Sequence, residues 1–189
     1  MVNRKDTCVS RDIDEEVAMI RLKQVTWFAA FLGALFVYTG SAHATDIGGT
    51  ISTTLTITED SQLVDDVTCT VTGAPCIAIG APNVTLELNG FTMTGQADSR
   101  TPCNAGPIGD ETGIEVNTQA GVTIHGPGLV QQFRAAGIHL VTTTGARVMD
   151  VITSTNCLSG ILLNAGSGNE LYNNVSVRNG TPGGGCGGI

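Results

Sequence analysis

Past residue 44 the chain has few groups suited to acid–base chemistry. They are the histidines His125 and His139 and a small set of carboxylates, with Asp110, Glu111 and Glu115 grouped ahead of them. A carboxylate held beside an imidazole can move a proton, and acids gathered on a loop can hold Ca²⁺. Asp110, Glu115 and His139 are therefore the candidate catalytic residues. Glu115 and His139 are 24 residues apart in sequence, so they meet only if the fold repeats at about that interval. The simpler reading, a solvated surface pair, is preferred, because any exposed sheet face sets polar residues side by side. His125 precedes Gly126-Pro127-Gly128 and reads as a turn histidine. A zinc centre is not indicated, since there is no CxxC pair and only two histidines follow residue 44. No metal or cofactor is expected from these residues.

A repeat of the required length is present. Gly-Ile occurs at Gly113-Ile114, Gly137-Ile138, Gly160-Ile161 and Gly188-Ile189, at spacings of 24, 23 and 28. The first three dipeptides open the alternating triplets Ile114-Glu115-Val116, Ile138-His139-Leu140 and Ile161-Leu162-Leu163. A second pattern follows at a constant offset: Val122 and Ile124, Ala146 and Val148, Asn169 and Leu171. A third comprises Leu129-Val130, Val151 with Thr153, and Val175 with Val177. Turn-forming residues separate them.

Three short strands per repeat imply a coil in which each strand pairs with its equivalent one repeat later. Three parallel sheets would then face an apolar interior, with strands ~4.8 Å apart. Outward residues fall into files. The first holds Ala78, Glu115, His139 and Leu162, and the second holds Thr123, Arg147 and Glu170, where Arg147 and Glu170 form a weak ion pair. Upstream, Ile51 to Ile57, Val67 to Val71, Ile77 with Ile79, and Val84 to Met93 continue the scheme less regularly. Residues 96–112 break the period and read as a projecting loop. Asn83, Asn89, Asn117, Asn156, Asn164, Asn173 and Asn179 lie in or beside turns, where Asn tolerates left-handed backbone.

The segments APNVTLELNGFTMTG, GVTIHGPGLV and NELYNNVSVRNG, with their Asn-Gly turns and recurring Ile/Gly cadence, resemble the repeats of right-handed parallel β-helix proteins of the pectate-lyase-like superfamily. The likeness extends over about residues 48–189. It implies an all-β, right-handed parallel β-helix (solenoid) of about five rungs of 22–28 residues. For activity it implies less. Pectate lyases carry an arginine in an R-x-P-x-x-R setting, which this chain lacks. Polygalacturonase-like hydrolases combine N-x-D, D-D, H-G and R-x-K; past the leader only Asp65-Asp66 and His125-Gly126 match.

Residues 25–38 form an apolar run of 14, followed by the A-x-A pattern at Ala42 and Ala44. This reads as a secretory signal within a leader of residues 1–44, cleaved after Ala44. Met19 is the expected true start, because Arg21 and Lys23 give the usual positive region. Residues 45–189 are then an exported domain, secreted, periplasmic or on the cell surface, with no membrane span after cleavage. The leader holds five acids and five bases, so the domain carries 12 acids and four bases. That balance excludes a nucleic-acid binder working through a basic surface. Export favours disulfides. Cys69 and Cys76 flank a short turn, and their bridge would contribute ~2–3 kcal/mol. Cys157 and Cys186 occupy nearly the same place in adjacent repeats and are the second expected pair, which leaves Cys103 without a partner. Because Gly188-Ile189 opens a triplet that does not continue, a C-terminally truncated fragment is expected.

The expected function is that of a structural or ligand-presenting exported module, with polysaccharide the expected partner. The rival reading is a carbohydrate-active lyase or hydrolase, using Ca²⁺ if a lyase, with its site on the first-strand face or in sequence beyond Ile189.

Overall fold

The computed structural model describes residues 44–97, 103 and 109–180. Residues 1–43 lie outside the described residues, as do Cys186 and Gly188-Ile189; of the expected A-x-A cleavage pattern only Ala44 is described.

The described residues form strands and no helix. They are β1 (Thr45–Ile51), β2 (Leu55–Ile57), β3 (Ser61–Cys69), β4 (Ile77–Ile79), β5 (Thr85–Glu87), β6 (Thr92–Thr94) and β7 (Ile114–Asn117). There follow β8 (Thr123–Gln131), β9 (Ile138–Thr144), β10 (Arg147–Ser154), β11 (Ile161–Ser167), β12 (Glu170–Tyr172) and β13 (Val175–Val177). All strand pairing is parallel. A five-stranded sheet runs β11-β9-β7-β4-β2, and an eight-stranded sheet runs β1-β3-β5-β8-β10-β12, with β6 and β13 joined at its side. Each repeat gives one strand to the smaller sheet and then crosses to the larger one.

Three sheets were expected and two are found. The second and third strands of a repeat run together in β8 and β10, and the corner between them is a bulge rather than a break. His125 pairs with Met149 and Gly128 with Val151, so Gly126 and Pro127 oppose Asp150 alone. Such a two-against-one bulge bends the strand while keeping it in the sheet.

Register is the property on which the site depends. Ile77, Ile114, Ile138 and Ile161 pair in one file, and each is at most 1% exposed. Their outward neighbours Ala78, Glu115, His139 and Leu162 pair in the adjacent file, as expected. Leu86, Ile124 and Val148 make the corresponding inward file of the larger sheet and belong to the same apolar cluster. The glycines of the Gly-Ile dipeptides are required by close stacking. A Cβ on Gly137 would lie 2.8 Å from the Gly160 carbonyl oxygen and 2.7 Å from the Asn156 amide nitrogen.

The third apolar pattern corrects the expectation. Thr153 pairs with Ser176, while Val175 pairs with Ile152 and Val177 with Ser154. Val175 and Val177 are thus outward and exposed, and the buried residue of the triplet Ile152-Thr153-Ser154 is Thr153.

The backbone keeps the same period. Left-handed residues recur as Thr118, Thr142 and Ala165; as Gln132, Thr155 and Arg178; and as Asp150 and Asn173. Asn83, Asn89 and Asn173 adopt that conformation, in keeping with their reading as turn residues. Asn156 and Asn179 instead work through their side chains. Asn156 Oδ1 accepts from the Phe133 N–H, and Nδ2 donates to the Val130 carbonyl. Asn179, Asn174 and Asn169 repeat the arrangement one layer on, accepting from the amides of Asn156, Val151 and Ala146 and donating to the carbonyls of Thr153, Val148 and Thr143. Each asparagine therefore reaches residues i−23 and i−26, stitching one repeat to the one before it.

Cys69 and Cys76 form a disulfide, with Cα atoms 6.0 Å apart. The second expected pair is corrected. Cys157 is bridged to Cys103, with Cα atoms 5.1 Å apart, and Cys186 lies outside the described residues. Among the described residues no helix is long and apolar enough to cross a membrane.

Candidate functional site

On the smaller sheet, β7 presents Glu115 and β9 presents His139 from paired positions. His139 Nδ1 lies 3.8 Å from Glu115 Oε2, and the two side chains are only 14% and 22% exposed. The distance is too long for a hydrogen bond. His139 Nε2 instead meets the Asn164 side-chain amide at 3.0 Å; a ring nitrogen facing an NH₂ group accepts from it. Partial burial lowers the affinity of His139 for its proton, and the charges of Glu115 and Asp110 oppose that effect without cancelling it. Asp110 itself is exposed at the edge of this face.

A depressed histidine makes stability depend on pH. As pH falls below about 7, the unfolded chain binds a proton at position 139 before the folded chain does. The folded state accordingly loses stability down to its own, lower, titration point. Between pH ~7 and ~5 the wild-type melting temperature should fall more steeply than that of His139→Gln. Parallel slopes for the two proteins would contradict this assignment.

Glu111 does not share that face. Its carboxylate is turned inward, 7% exposed, and is gripped by Arg134 through both Nε and Nη2. Glu111 Oε1 also accepts the Gly73 N–H at 2.8 Å. The recess beside this pair, lined by Cys69, Val71, Gln96, Phe133 and Arg134, has room for about one water molecule. It is no substrate pocket.

A second cluster, on the larger sheet, was not anticipated. His125 lies in β8, not in a turn, directly opposite Glu87 of β5. Its Nδ1 is 2.8 Å from Glu87 Oε2, and its Nε2 is 3.6 Å from Asp150 Oδ2. Asp150 Oδ1 in turn accepts a hydrogen bond from Asn173 Nδ2. The corner bulge makes this possible, since Asp150 has φ of 58° and so turns its side chain sideways, along the corner toward the neighbouring layer. Gly126 must be glycine here, because a Cβ would collide with the Asp150 carbonyl oxygen. The sequence signal was the polar pair Asp150 and Asn173 at the repeat interval of 23, but Asp150 reaches His125 only through the bulge, and Asn173 meets Asp150 alone.

Farther along this face Arg147 Nε meets Glu170 Oε2 at 3.0 Å, as expected, with side chains 57% and 64% exposed. Solvent screens so open a pair. Arg147→Ala should change unfolding free energy by less than about 1 kcal/mol, measured by chemical denaturation. Of the three aromatics past residue 44, Phe133 is buried, Phe91 packs against the core, and Tyr172 projects into solvent.

Among the described residues no group of three or more His, Cys, Asp or Glu side chains is arranged to hold a metal. The arrangement offers two histidines, each flanked by carboxylates, on open sheet faces. A scan against protein-family models finds no match to the chain, and comparisons with curated proteins and with solved structures likewise find none.

Proposed function

We propose that the chain is a right-handed parallel β-helix of about five turns, exported from the cell, whose outward side-chain files present a polar surface to a polysaccharide without transforming it. The observation that carries the reading is the unbroken register of Ile77, Ile114, Ile138 and Ile161. Parallel strands that return to the same file after 37 residues across the 96–112 segment and then after 24 and 23 suit a single-direction coil, and right-handed crossovers are the strong rule for parallel connections. Two described disulfides fit an oxidising compartment. A regular scaffold with flat faces and one projecting solvent-exposed aromatic, Tyr172, is better suited to presentation than to enclosing a reacting sugar.

A carbohydrate-active enzyme is the second reading, favoured by the approach of Glu115 to His139 and of Glu87 and Asp150 to His125. Incubation with polyuronides and neutral glycans, with and without Ca²⁺, separates the two. Retention of a glycan without product formation is the expected result. Turnover that disappears in Glu115→Ala or His139→Ala, with the circular dichroism unchanged, would establish the enzyme. Failure to retain any glycan would remove the presenting role.

A further inference from the structure

We propose that Asn83 is the acceptor of an N-linked glycan and that the fold denies that role to the two other asparagines in the same sequence context. The inference rests on the reading of the chain as exported. Asn-x-Ser/Thr, with a middle residue other than proline, occurs at Asn83-Val84-Thr85, Asn174-Val175-Ser176 and Asn179-Gly180-Thr181. In an exported chain this triplet marks an acceptor asparagine on a surface loop. All three triplets satisfy the sequence requirement, and only the first satisfies the structural one.

Side-chain alternation separates the first two. In Asn174-Val175-Ser176 the middle residue faces solvent: Val175 is 49% exposed, while Ser176 pairs with the buried Thr153. Asn174 is turned to the preceding layer, where its Oδ1 accepts from the Val151 N–H and its Nδ2 donates to the Val148 carbonyl at 2.7 Å. Asn179 is held more completely. Its Nδ2 donates to the Thr153 carbonyl at 3.1 Å and to Ser176 Oγ at 2.8 Å, so both amide hydrogens are committed. In Asn83-Val84-Thr85 the alternation is reversed. Val84 is the buried member, 3% exposed, so Asn83 is exposed and Thr85 stands in the outward file with Thr123. Asn83 sits in the turn between β4 and β5, its N–H anchored on the Ala120 carbonyl and its Oδ1 against Gly121. Its Nδ2 has no hydrogen-bond partner among the described residues. Transfer joins that nitrogen to the anomeric carbon of an oligosaccharide carried on a lipid pyrophosphate. The carbon's bond to the pyrophosphate oxygen breaks, the lipid pyrophosphate leaves with the bonding electrons, and one amide proton passes to a base of the transferase.

Expression of the full chain in a eukaryotic secretory host, followed by peptide N-glycosidase digestion and mass spectrometry, tests the proposal, since that digestion leaves aspartate wherever a glycan was attached. One glycan per secreted chain is expected, at Asn83. Asn83→Gln should remove it, and so should Thr85→Ala, which keeps Asn83 and its turn. Ser176→Ala should leave it in place. A secreted chain without a glycan, or with one at Asn174 or Asn179, would overturn this proposal alone. A chain retained unmodified in the cytosol would overturn the export reading and this proposal with it. None of these results depends on polysaccharide binding or turnover.

Discussion

Asn156→Ala should lower the unfolding free energy by about 3–5 kcal/mol, seen as a large fall in denaturant midpoint with little change in slope. Asn156 is fully buried. Its side chain serves the Phe133 N–H at 3.0 Å, the Val130 carbonyl at 3.2 Å and Asn179 Oδ1 at 3.0 Å. Truncation leaves one backbone donor and one backbone acceptor buried without these partners, and each such loss costs about 1–3 kcal/mol. Asn156→Asp should do no better. It restores the acceptor for Phe133 but removes the donor to Val130 and buries a charge. Asn179→Ala should cost less, because Asn179 is only partly buried and water can replace the amide. A loss under 1 kcal/mol for Asn156→Ala would mean that the ladder does not hold the repeats together.

The asparagines also show what was and was not legible in the sequence. The period was plain in Gly113-Ile114, Gly137-Ile138 and Gly160-Ile161, since close neighbours leave no room there for a Cβ and isoleucine is placed by the interior. Two short-range signals thus encoded the long-range register, and with it the neighbours Glu115 and His139. Asparagine carries two meanings that composition does not separate: it permits left-handed backbone, as at Asn89 and Asn173, and it satisfies a neighbouring layer's backbone, as at Asn156 and Asn179. The second meaning shows only once the offset of 23 is applied, when Asn169, Asn174 and Asn179 fall at even steps of five.

Apolar type misled at Val175 and Val177, because they pair with the outward Ile152 and Ser154, while the polar Ser176 takes the place opposite buried Thr153. The cluster at His125 was hidden for a different reason. It depends on a bulge, and a bulge shifts pairing by one residue without leaving a periodic trace. Cys103 lies in the stretch 96–112 that breaks the period, so no repeat argument places it beside Cys157.

Glu111→Leu and Arg134→Met should each destabilise the protein by about 3–5 kcal/mol, because either leaves its partner's charge poorly compensated in a largely enclosed corner. The pair ties together three segments. Glu111 lies at the end of the 96–112 segment, Arg134 sits in the corner after β8, and Gly73 lies in the turn spanned by the Cys69–Cys76 bridge. The Ala135 N–H adds a bond to the Glu111 carbonyl. Glu111→Gln should also be costly, since it can keep the Gly73 contact but not the charge that Arg134 needs. The double variant Glu111→Leu/Arg134→Met removes both charges at once. It should recover much of either single loss, as buried ion pairs replaced by apolar groups of similar volume often do. The coupling read from that four-protein cycle separates two possibilities. A large positive recovery identifies the cost as charge burial, whereas strictly additive losses would show that Glu111 and Arg134 stabilise the corner through their separate backbone and packing contacts and not through each other.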